Sequence, residues 1–418
     1  MIQRRKVIIG TLGVAATATA AGCSAHASAS SGNAVWTNPV ADNQAASPGA
    51  SAPTESASAV QLTVTPADKA TGVDLTKPIT VAAASGTLQS VTVTTGKTKV
   101  AGAVQSDGTW TSTGDLDYSK TYKVVVKATD SAGTASEQTS TFTTVKPKNI
   151  ARITFQANGL NALKAGGTYG AGQPVIVAFS HPVDKELAEK AIEITTSPKV
   201  EGKFHWVSNS IVHWRPAKYW TAGSTVKVSV NVLGKELGKG VYGDRNASAN
   251  FRIGRQLIAI ADSRTHITKV MIDGKVVRTM KSSFGMGGTT KGAQGQEINF
   301  WTAGGPHVVL SKELWHTMNS SSYGVTDPSN PYYYGDDKVQ YCTRISYSGE
   351  FLHAAPWNHS LGVANKSHGC INLSVEDAKW VYENFMVGDV VDVKNSPRTL
   401  GLTNGLGDWT VSYDKYGN

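Results

Sequence analysis

Short segments rich in Val and Thr, separated by Gly, Asp and Ser, recur from about residue 60 to residue 254 and restrict this part of the chain to strand-rich folds. Alternation with a period of two is typical of strands with one buried face. The segments form two sets, LTVT to TSTFTT and VIVAF to ANFRI. In each set a Trp precedes a long strand and a Phe closes the pattern, namely Trp110 with Phe142 and Trp214 with Phe251. The sequence therefore predicts two related antiparallel β-sandwiches of Ig-like type.

A chain of 418 residues is longer than one hydrophobic core usually organises, so several domains are expected. We predict a mainly-β protein with Ig-like domains at residues 59–147 and 148–254. A third, mostly-β domain follows at 255–396, where Asp273-Gly274 is typical of a tight hairpin and one helix is expected after Ser374. A C-terminal segment, residues 397–418, is expected to pack on the third domain.

The N-terminus has the features of an export signal. Three basic residues, Arg4, Arg5 and Lys6, precede an apolar stretch that is too short to span a bilayer. We predict a signal peptide at residues 1–22, a lipidated Cys23, and a disordered linker that extends to residue 58. An ordinary signal peptide with an incidental Cys remains the alternative, and the Arg pair also permits twin-arginine export. The expected location is extracytoplasmic, lipid-anchored to the outer face of the cell membrane and reaching into the cell wall.

Charge and cysteine content exclude several functions. Lys and Arg total 40 against 31 Asp and Glu, but no dense basic run with interleaved aromatics occurs, so nucleic acid is not an expected partner. The Gly-rich stretch at residues 285–295 lacks the ending of a phosphate-binding loop. Three cysteines cannot form a disulfide framework, and we expect Cys342 and Cys370 to be reduced.

The stretch from His353 to Leu373 carries the chemistry. Cys370 follows Gly369 and has His368 and His353 upstream. A lone cysteine is usually a small buried hydrophobe, but the Ser, His, Gly and Asn around this one do not build an apolar core. A thiol near a histidine is typical of acyl transfer. A zinc site with two His and one Cys is the alternative, but no compact ligand spacing supports it, and we predict neither a metal nor a cofactor.

Two motifs in this stretch, H-x-A-P-W and S-H-G-C-x-N, resemble the L,D-transpeptidases with a YkuD-type catalytic domain. The whole chain is similar to the multidomain, exported form of mycobacteria and related actinobacteria. The resemblance implies a peptidoglycan acyltransferase that attacks the diaminopimelate carbonyl of a tetrapeptide donor stem and releases D-Ala. The diaminopimelate amine of a neighbouring acceptor stem then completes the cross-link. It also implies covalent inhibition by carbapenems.

Within this reading each site residue has an expected role. Cys370 is the nucleophile, His353 the general base and acid, and a backbone carbonyl near His353 the third member of the triad. The N–H groups of Gly369 and Cys370 are the expected oxyanion donors, and His368 holds the loop or tunes the thiolate. By resemblance the substrate contacts are Tyr334, Ser348, Gly349 and Asn372, with Met318, Tyr323 and Trp357 lining the cleft and Tyr333 as a substitute for Tyr334.

Two other functions remain open from the sequence. The same thioester could be captured by water, which would make the protein an L,D-carboxypeptidase, or by another amine that ties a protein or glycine to the stem. Alternatively, the protein could be a wall-binding or adhesive lipoprotein whose function lies in the Ig-like domains. Loss of function on changing Cys370 to Ala would exclude the last reading.

Overall fold

The computed structural model describes residues 59–417, and strands dominate them, which confirms the predicted mainly-β class. The predicted signal peptide, Cys23 and the linker lie outside the described residues. Within 59–417 no helix has the length and apolar character needed to cross a membrane.

The first sandwich forms two four-stranded sheets around one core. Its strands are β1 Gln61–Thr65, β2 Thr80–Ala84, β3 Gly86–Thr95, β4 Thr98–Val100, β5 Gly102–Val104, β6 Trp110–Ser112, β7 Thr121–Asp130 and β8 Ala135–Thr143. The sheet orders are β1-β2-β6-β5 and β4-β3-β7-β8. Alternate residues of β7 are buried, and Tyr122 stacks on Phe142 with ring centroids 5.2 Å apart. Trp110 lies in the same core, so the Trp and Phe of the sequence pattern are core residues.

The second sandwich repeats this plan with additional elements. These are β9 Asn149–Ala151, β10 Ile153–Asn158, β11 Asn161–Ala162, β12 Gly167–Tyr169, β13 Val175–Phe179, α1 Lys185–Ala191, β14 Ile192–Ser197, β15 Gly202–Ser208, β16 Ile211–Pro216, β17 Thr225–Val230, β18 Val241–Gly243 and β19 Ala247–Ile253. The two sheets run β11-β10-β13-β16-β15 and β12-β19-β17-β14, and β9 pairs with β18. Trp214, Trp220 and Phe251 lie in the core between the sheets. The sequence pattern did not predict α1.

The third domain has two sheets that share a core with one helix. Its elements are β20 Leu257–Asp262, β21 Ile267–Ile272, β22 Lys275–Lys281, β23 Thr289–Lys291, β24 Glu297–Asn299, β25 Gly305–Val308, β26 Ser311–Met318, β27 Asp337–Arg344, β28 Phe351–Ala354, β29 Ile371–Leu373, α2 Val375–Asn384 and β30 Val390–Lys394. The sheet orders are β22-β21-β20-β30-β25 and β26-β27-β28-β29, and β23 pairs with β24. Residues of both larger sheets and of α2 form one buried cluster. The helix therefore supports the strands that carry the predicted site.

Local sequence explains the bounds of two of these elements. Asp273 and Gly274 have positive φ of 50° and 80°, as the two-residue hairpin between β21 and β22 requires. The Ser374 hydroxyl caps α2 by accepting the Asp377 N–H at 3.0 Å. Within α2, Ala378 and Val381 are buried, whereas Val375 in the first turn is exposed.

The C-terminal segment contacts more than the third domain on which it was expected to pack. Its Asp408 is buried and lies 2.9 Å from His213 of β16, and Trp409 donates its indole N–H to the Gly172 carbonyl at 2.7 Å. Asn404 contacts Ser348 of the third domain. The segment therefore joins the second sandwich to the third domain.

Candidate active site

Two parallel strands bring the motif residues together. Strands β28 and β29 are neighbours in register, so His353 lies opposite Asn372. Cys370 is the residue immediately before β29. A separation of seventeen residues in the sequence thus becomes a side-by-side arrangement at one end of the sheet. This placement depends on the parallel pairing, which the motif spacing alone did not reveal.

His353 is held in a tautomer suited to accepting a proton. Its side chain is buried, with Nδ1 2.9 Å from the Ala354 carbonyl and Nε2 2.9 Å from the Asn372 amide nitrogen. A carbonyl only accepts, so Nδ1 carries the hydrogen and Nε2 the lone pair. Burial lowers the pKa of His353 to about 4, so the ring is neutral at physiological pH. The Ala354 carbonyl occupies the position expected for the third member of the triad.

The Cys370 thiol is protonated at rest. Burial raises the pKa of Cys370 to about 12, and the Phe351 backbone N–H opposes this shift only in part. The sulfur donates to the Gly349 carbonyl at 3.6 Å. The thiol hydrogen is therefore directed to Gly349, whereas the His353 ring is engaged with Asn372. Contacts between a nucleophile and its base commonly tighten only when substrate binds.

The loop before Cys370 limits the possible oxyanion donors. Gly369 donates its N–H to the Ser367 hydroxyl at 3.1 Å, and that hydroxyl donates to the Cys370 carbonyl at 2.6 Å. The Gly369 N–H, expected as one of two donors, is thus already used within the loop. The Cys370 N–H has no intramolecular acceptor in the part of the chain that the structure describes. Cys370 is the better-placed donor of the two.

His368 packs against the aromatic loop between β26 and β27. Its ring centroid lies 5.0 Å from that of Tyr334 in this loop and 5.5 Å from that of Phe300, which directly follows β24. Burial lowers the pKa of His368, with Asp337 acting in the opposite direction. The arrangement fits a residue that holds the loop, which is one of the two roles expected of it.

The aromatic loop contributes side chains to the walls of the site. A 3₁₀ turn at Ser320–Tyr323 follows β26, and the Ser320 hydroxyl accepts the Tyr334 N–H at 3.1 Å, so both arms of the loop are tied together. Tyr323 and Tyr334 lie with ring centroids 6.2 Å apart. Tyr333, the alternative to Tyr334, is exposed and does not line either cavity at the thiol. Of Tyr333 and Tyr334, Tyr334 is therefore the one that faces the site.

Two cavities meet at the thiol. The larger has a volume of about 570 Å³ and the smaller about 170 Å³, and Met318, Tyr334, His368 and Cys370 line both. The other predicted residues divide between them. The larger cavity is also lined by Tyr323, Ser348, Gly349 and Gly369. The smaller cavity is also lined by His353, Trp357 and Asn372. The structure thus places all of these predicted residues at one cleft, whereas Tyr333, the substitute for Tyr334, lies outside both cavities.

The wall of the larger cavity also holds a buried carboxylate, Glu350, that the sequence did not predict. Glu350 accepts the Ala303 N–H at 2.8 Å and lies 3.5 Å from the Arg398 guanidinium. Burial acts to raise the pKa of Glu350, but electrostatic interaction with His307 and Arg398 and the hydrogen bond from the Ala303 N–H hold this pKa below its usual range. Glu350 therefore fixes the backbone of the loop at residues 302–305. No local motif marks this contact, because the partners are 47 residues apart.

No cluster of three or more His, Cys, Asp or Glu side chains within residues 59–417 is arranged to hold a metal ion. Both described cysteines are free thiols, as predicted. Cys342 is fully buried on β27, whereas Cys370 is partly exposed. Of these two described cysteines, Cys370 is the one accessible for chemistry with a substrate.

Comparison with known proteins agrees with this site. Residues 255–393 match the YkuD L,D-transpeptidase catalytic domain, and residues 70–236 match the bacterial Ig domain family. L,D-transpeptidase 2 of Mycobacterium tuberculosis is 38% identical over 361 residues, which cover 85% of this chain and 84% of that protein. L,D-transpeptidase 5 of the same species is 34% identical over 367 residues, covering 86% and 76%.

A solved structure is also similar. The crystal structure of L,D-transpeptidase 3 from Mycobacterium tuberculosis in complex with a faropenem-derived adduct is 32% identical, with a TM-score of 0.44. The match covers 58% of this chain and 98% of that one.

The chain belongs to the L,D-transpeptidase family. It is an acyltransferase of peptidoglycan cross-linking that uses a cysteine nucleophile.

Proposed function

We propose that Cys370 attacks the diaminopimelate carbonyl of a tetrapeptide donor stem and that an acceptor diaminopimelate amine resolves the thioester. The observation that carries this proposal is the position of the thiol at the junction of two cavities, with His353 on the wall of the smaller one. A two-substrate acyl transfer needs access to the same sulfur from two directions. Both cavities supply it.

In the first half-reaction the sulfur forms a bond to the carbonyl carbon while the thiol proton passes to Nε2 of His353. The pKa of Cys370 is raised and that of His353 is lowered, so a resting thiolate–imidazolium pair is disfavoured. The proton therefore moves as the sulfur attacks, after Nε2 exchanges its contact with Asn372 for the thiol. His353 then gives the proton to the leaving D-Ala nitrogen as the carbon–nitrogen bond breaks, which leaves a thioester.

The oxyanion that forms in this step needs donors within the cleft. The Cys370 N–H is the backbone donor best placed for it, since the Gly369 N–H is used by Ser367. The burial that raises the thiol pKa also strengthens this hydrogen bond when substrate excludes water.

The second half-reaction indicates which substrate each cavity holds. The acceptor amine must give up a proton as it attacks the thioester, and His353 lines only the smaller cavity. The acceptor amine is therefore proposed to approach through the smaller cavity, beside Trp357, whose ring centroid is 6.3 Å from that of His353. The donor stem then occupies the larger cavity, along Ser348 and Gly349.

The test is incubation of the purified protein with a tetrapeptide-containing muropeptide, followed by mass spectrometry. The expected product is a dimer that has lost one D-Ala per cross-link, and Cys370→Ala should form none. Tripeptide without dimer would mean that water captures the thioester, so the protein would be an L,D-carboxypeptidase.

Carbapenems are proposed to acylate the same sulfur, because their strained lactam carbonyl occupies the place of the donor carbonyl. The solved relative with a faropenem-derived adduct is a precedent for a penem on a member of this family. Opening of the lactam ring forms one thioester and moves the thiol proton to the ring nitrogen. Intact-mass analysis should therefore show one added inhibitor per chain.

We also propose a cellular location for the protein and a role for the remaining parts of the chain. Residues 1–22 act as the export signal, Cys23 carries the lipid, residues 23–58 form the tether, and the Ig-like domains hold the catalytic domain away from the membrane. The basic-apolar N-terminus followed by Cys23 supports this proposal. Cell fractionation should place the protein with membranes, and Cys23→Ser should release it.

A further inference from the structure

The turn at residues 345–350 joins β27 to β28 and carries part of the active site. Ser348 and Gly349 line the larger cavity, and the Gly349 carbonyl accepts the Cys370 thiol. Tyr347 and Ser348 are exposed, so burial does not fix their position. Their placement depends on hydrogen bonds to parts of the chain outside the catalytic domain.

Asn404 of the C-terminal segment holds Ser348 with both ends of its side-chain amide. Its Oδ1 accepts the Ser348 N–H at 2.8 Å, and its Nδ2 donates to the Ser348 hydroxyl at 2.8 Å. The Ser348 hydroxyl lies 3.1 Å from that of Ser346, which accepts the Glu350 N–H at 3.0 Å. One amide thus fixes both the backbone and the side chain at the centre of the turn.

The second sandwich holds the same turn at the neighbouring residue. The Gly159 N–H, in the loop between β10 and β11, donates to the Tyr347 hydroxyl at 2.6 Å. A Cβ at Gly159 would lie 2.8 Å from that hydroxyl, so a side chain would force the two apart. The Asn158 side chain, one residue earlier, donates to the Leu310 carbonyl at 2.9 Å and fixes the loop against the catalytic domain.

A buried cluster anchors the C-terminal segment to the second sandwich. The Asp408 carboxylate contacts His213 at 2.9 Å and accepts the Tyr416 hydroxyl at 2.6 Å. Arg215 of β16 lies 4.2 Å above the Tyr416 ring and donates to the Val411 carbonyl at 2.7 Å. Asp408 is four residues after Asn404, so this cluster restricts where the Asn404 amide can lie.

We propose that Asn404 is a positioning residue for the donor substrate, with the Tyr347 contact to Gly159 as a second anchor of the same turn. The inference rests on the donor stem occupying the larger cavity. Both anchors fix Ser348 and Gly349 from outside the catalytic domain. The second sandwich and the C-terminal segment are then required for donor binding, beyond any role in spacing.

The first test replaces Asn404 with Leu, which has a similar size but makes no hydrogen bond, in the purified protein. With a tetrapeptide muropeptide as donor, the donor KM should rise about tenfold, because two hydrogen bonds that fix the cavity wall are lost. The acceptor KM and the thermal midpoint should change little. Asn404→Asp should bring the donor KM most of the way back to the wild-type value, since its oxygens can accept both the N–H and the hydroxyl of Ser348.

Thr403→Ala is the matched control, because Thr403 is exposed on the adjacent position and lines neither cavity. It should leave the donor KM unchanged. Tyr347→Phe provides an independent variant, since it removes the acceptor of the Gly159 N–H, and it should raise the donor KM several-fold.

A wild-type donor KM in both Asn404→Leu and Tyr347→Phe would overturn the inference. So would a rise in KM that follows a loss of thermal stability and that Asn404→Asp does not restore. If Asn404→Leu does not fold, Tyr347→Phe decides. A wild-type protein that releases D-Ala without making dimer would contradict the proposed transpeptidation while leaving the effect on donor KM measurable.

Discussion

Cys370 and Cys342 lie at one hydrophobic cluster, yet Cys370 is the nucleophile and Cys342 is a structural residue. Cys342 forms the buried cluster with Val339 and Phe351, Cys370 packs against that cluster, and both are free thiols. Burial is the main cause that raises the pKa of each to about 12. The resting pKa therefore does not distinguish the nucleophile from the structural cysteine.

Access and neighbours distinguish them instead. The Cys342 side chain is fully buried on β27 and donates only to the Val339 carbonyl, at 3.5 Å. Cys370 lies at the meeting point of two cavities, and one of them is lined by a neutral imidazole. A cysteine with a raised pKa can still be a nucleophile when a base is available to take its proton during attack.

The strongest way to break this comparison is to remove each sulfur in turn. Cys370→Ala should abolish the carbapenem adduct completely, whereas Cys342→Ala should retain it, because only Cys370 is open to the cavities. Intact-mass spectrometry after exposure to a carbapenem measures both outcomes. An adduct on Cys370→Ala, or none on a folded Cys342→Ala protein, would contradict the assignment.

The next largest effect is expected from the base. His353→Gln should lower the rate of acylation by roughly 10²–10⁴-fold, the usual contribution of a general base. His359→Gln is the control, because His359 is exposed and lines neither cavity. Stopped-flow acylation by a carbapenem separates the two variants. Equal rates in both would mean that Cys370 needs no base, which would remove the main difference between the two cysteines.

The pH dependence of Cys370 alkylation and of enzymatic acylation also tests whether Cys370 needs His353 as a base. A thiol with a pKa raised to about 12 has little thiolate near neutrality, so alkylation by iodoacetamide should increase about tenfold per pH unit from about pH 7 to 10. His353 accepts a proton only when neutral, and its pKa is lowered to about 4. Enzymatic acylation should therefore persist down to about pH 5 and fall as the pH drops through about 4.

If the alkylation rate instead reaches its plateau already below about pH 7 and no longer rises with pH, Cys370 forms a thiolate–imidazolium pair at rest. The measurement needs Cys370→Ala as its blank, so that any reaction of Cys342 is subtracted.

Sequence reasoning succeeded where a local pattern decides the structure. The alternation in YKVVVKA marks a strand with one buried face, and the apolar VIVAF is a strand whose residues are all buried. Asp273-Gly274 adopts the positive φ that its hairpin needs, and the Ser374 hydroxyl caps the helix after the motif. The paired motifs around His353 and Cys370 indicated the chemistry, because that combination of residues at that spacing is specific.

Prediction from the sequence failed where contacts join distant parts of the chain. Asn404 and Ser348 are 56 residues apart, and His213 and Asp408 are 195 apart, so no periodicity or motif links them. The hydrogen bond from Gly369 to Ser367 depends on how one loop folds, with φ of Gly369 at 132°. These features follow from the packing of complete domains.

The smallest expected effect concerns Cys342 itself. Cys342→Ser should lower the thermal midpoint by roughly 2–4 °C, because a hydroxyl replaces a thiol in an apolar cluster beside Phe351. Acylation of Cys370 should stay within about twofold of the wild-type rate. Differential scanning calorimetry and the carbapenem assay measure the two quantities on the same preparation. A fall in acylation without a fall in thermal midpoint would show that Cys342 takes part in the chemistry, so that burial would no longer separate the two cysteines.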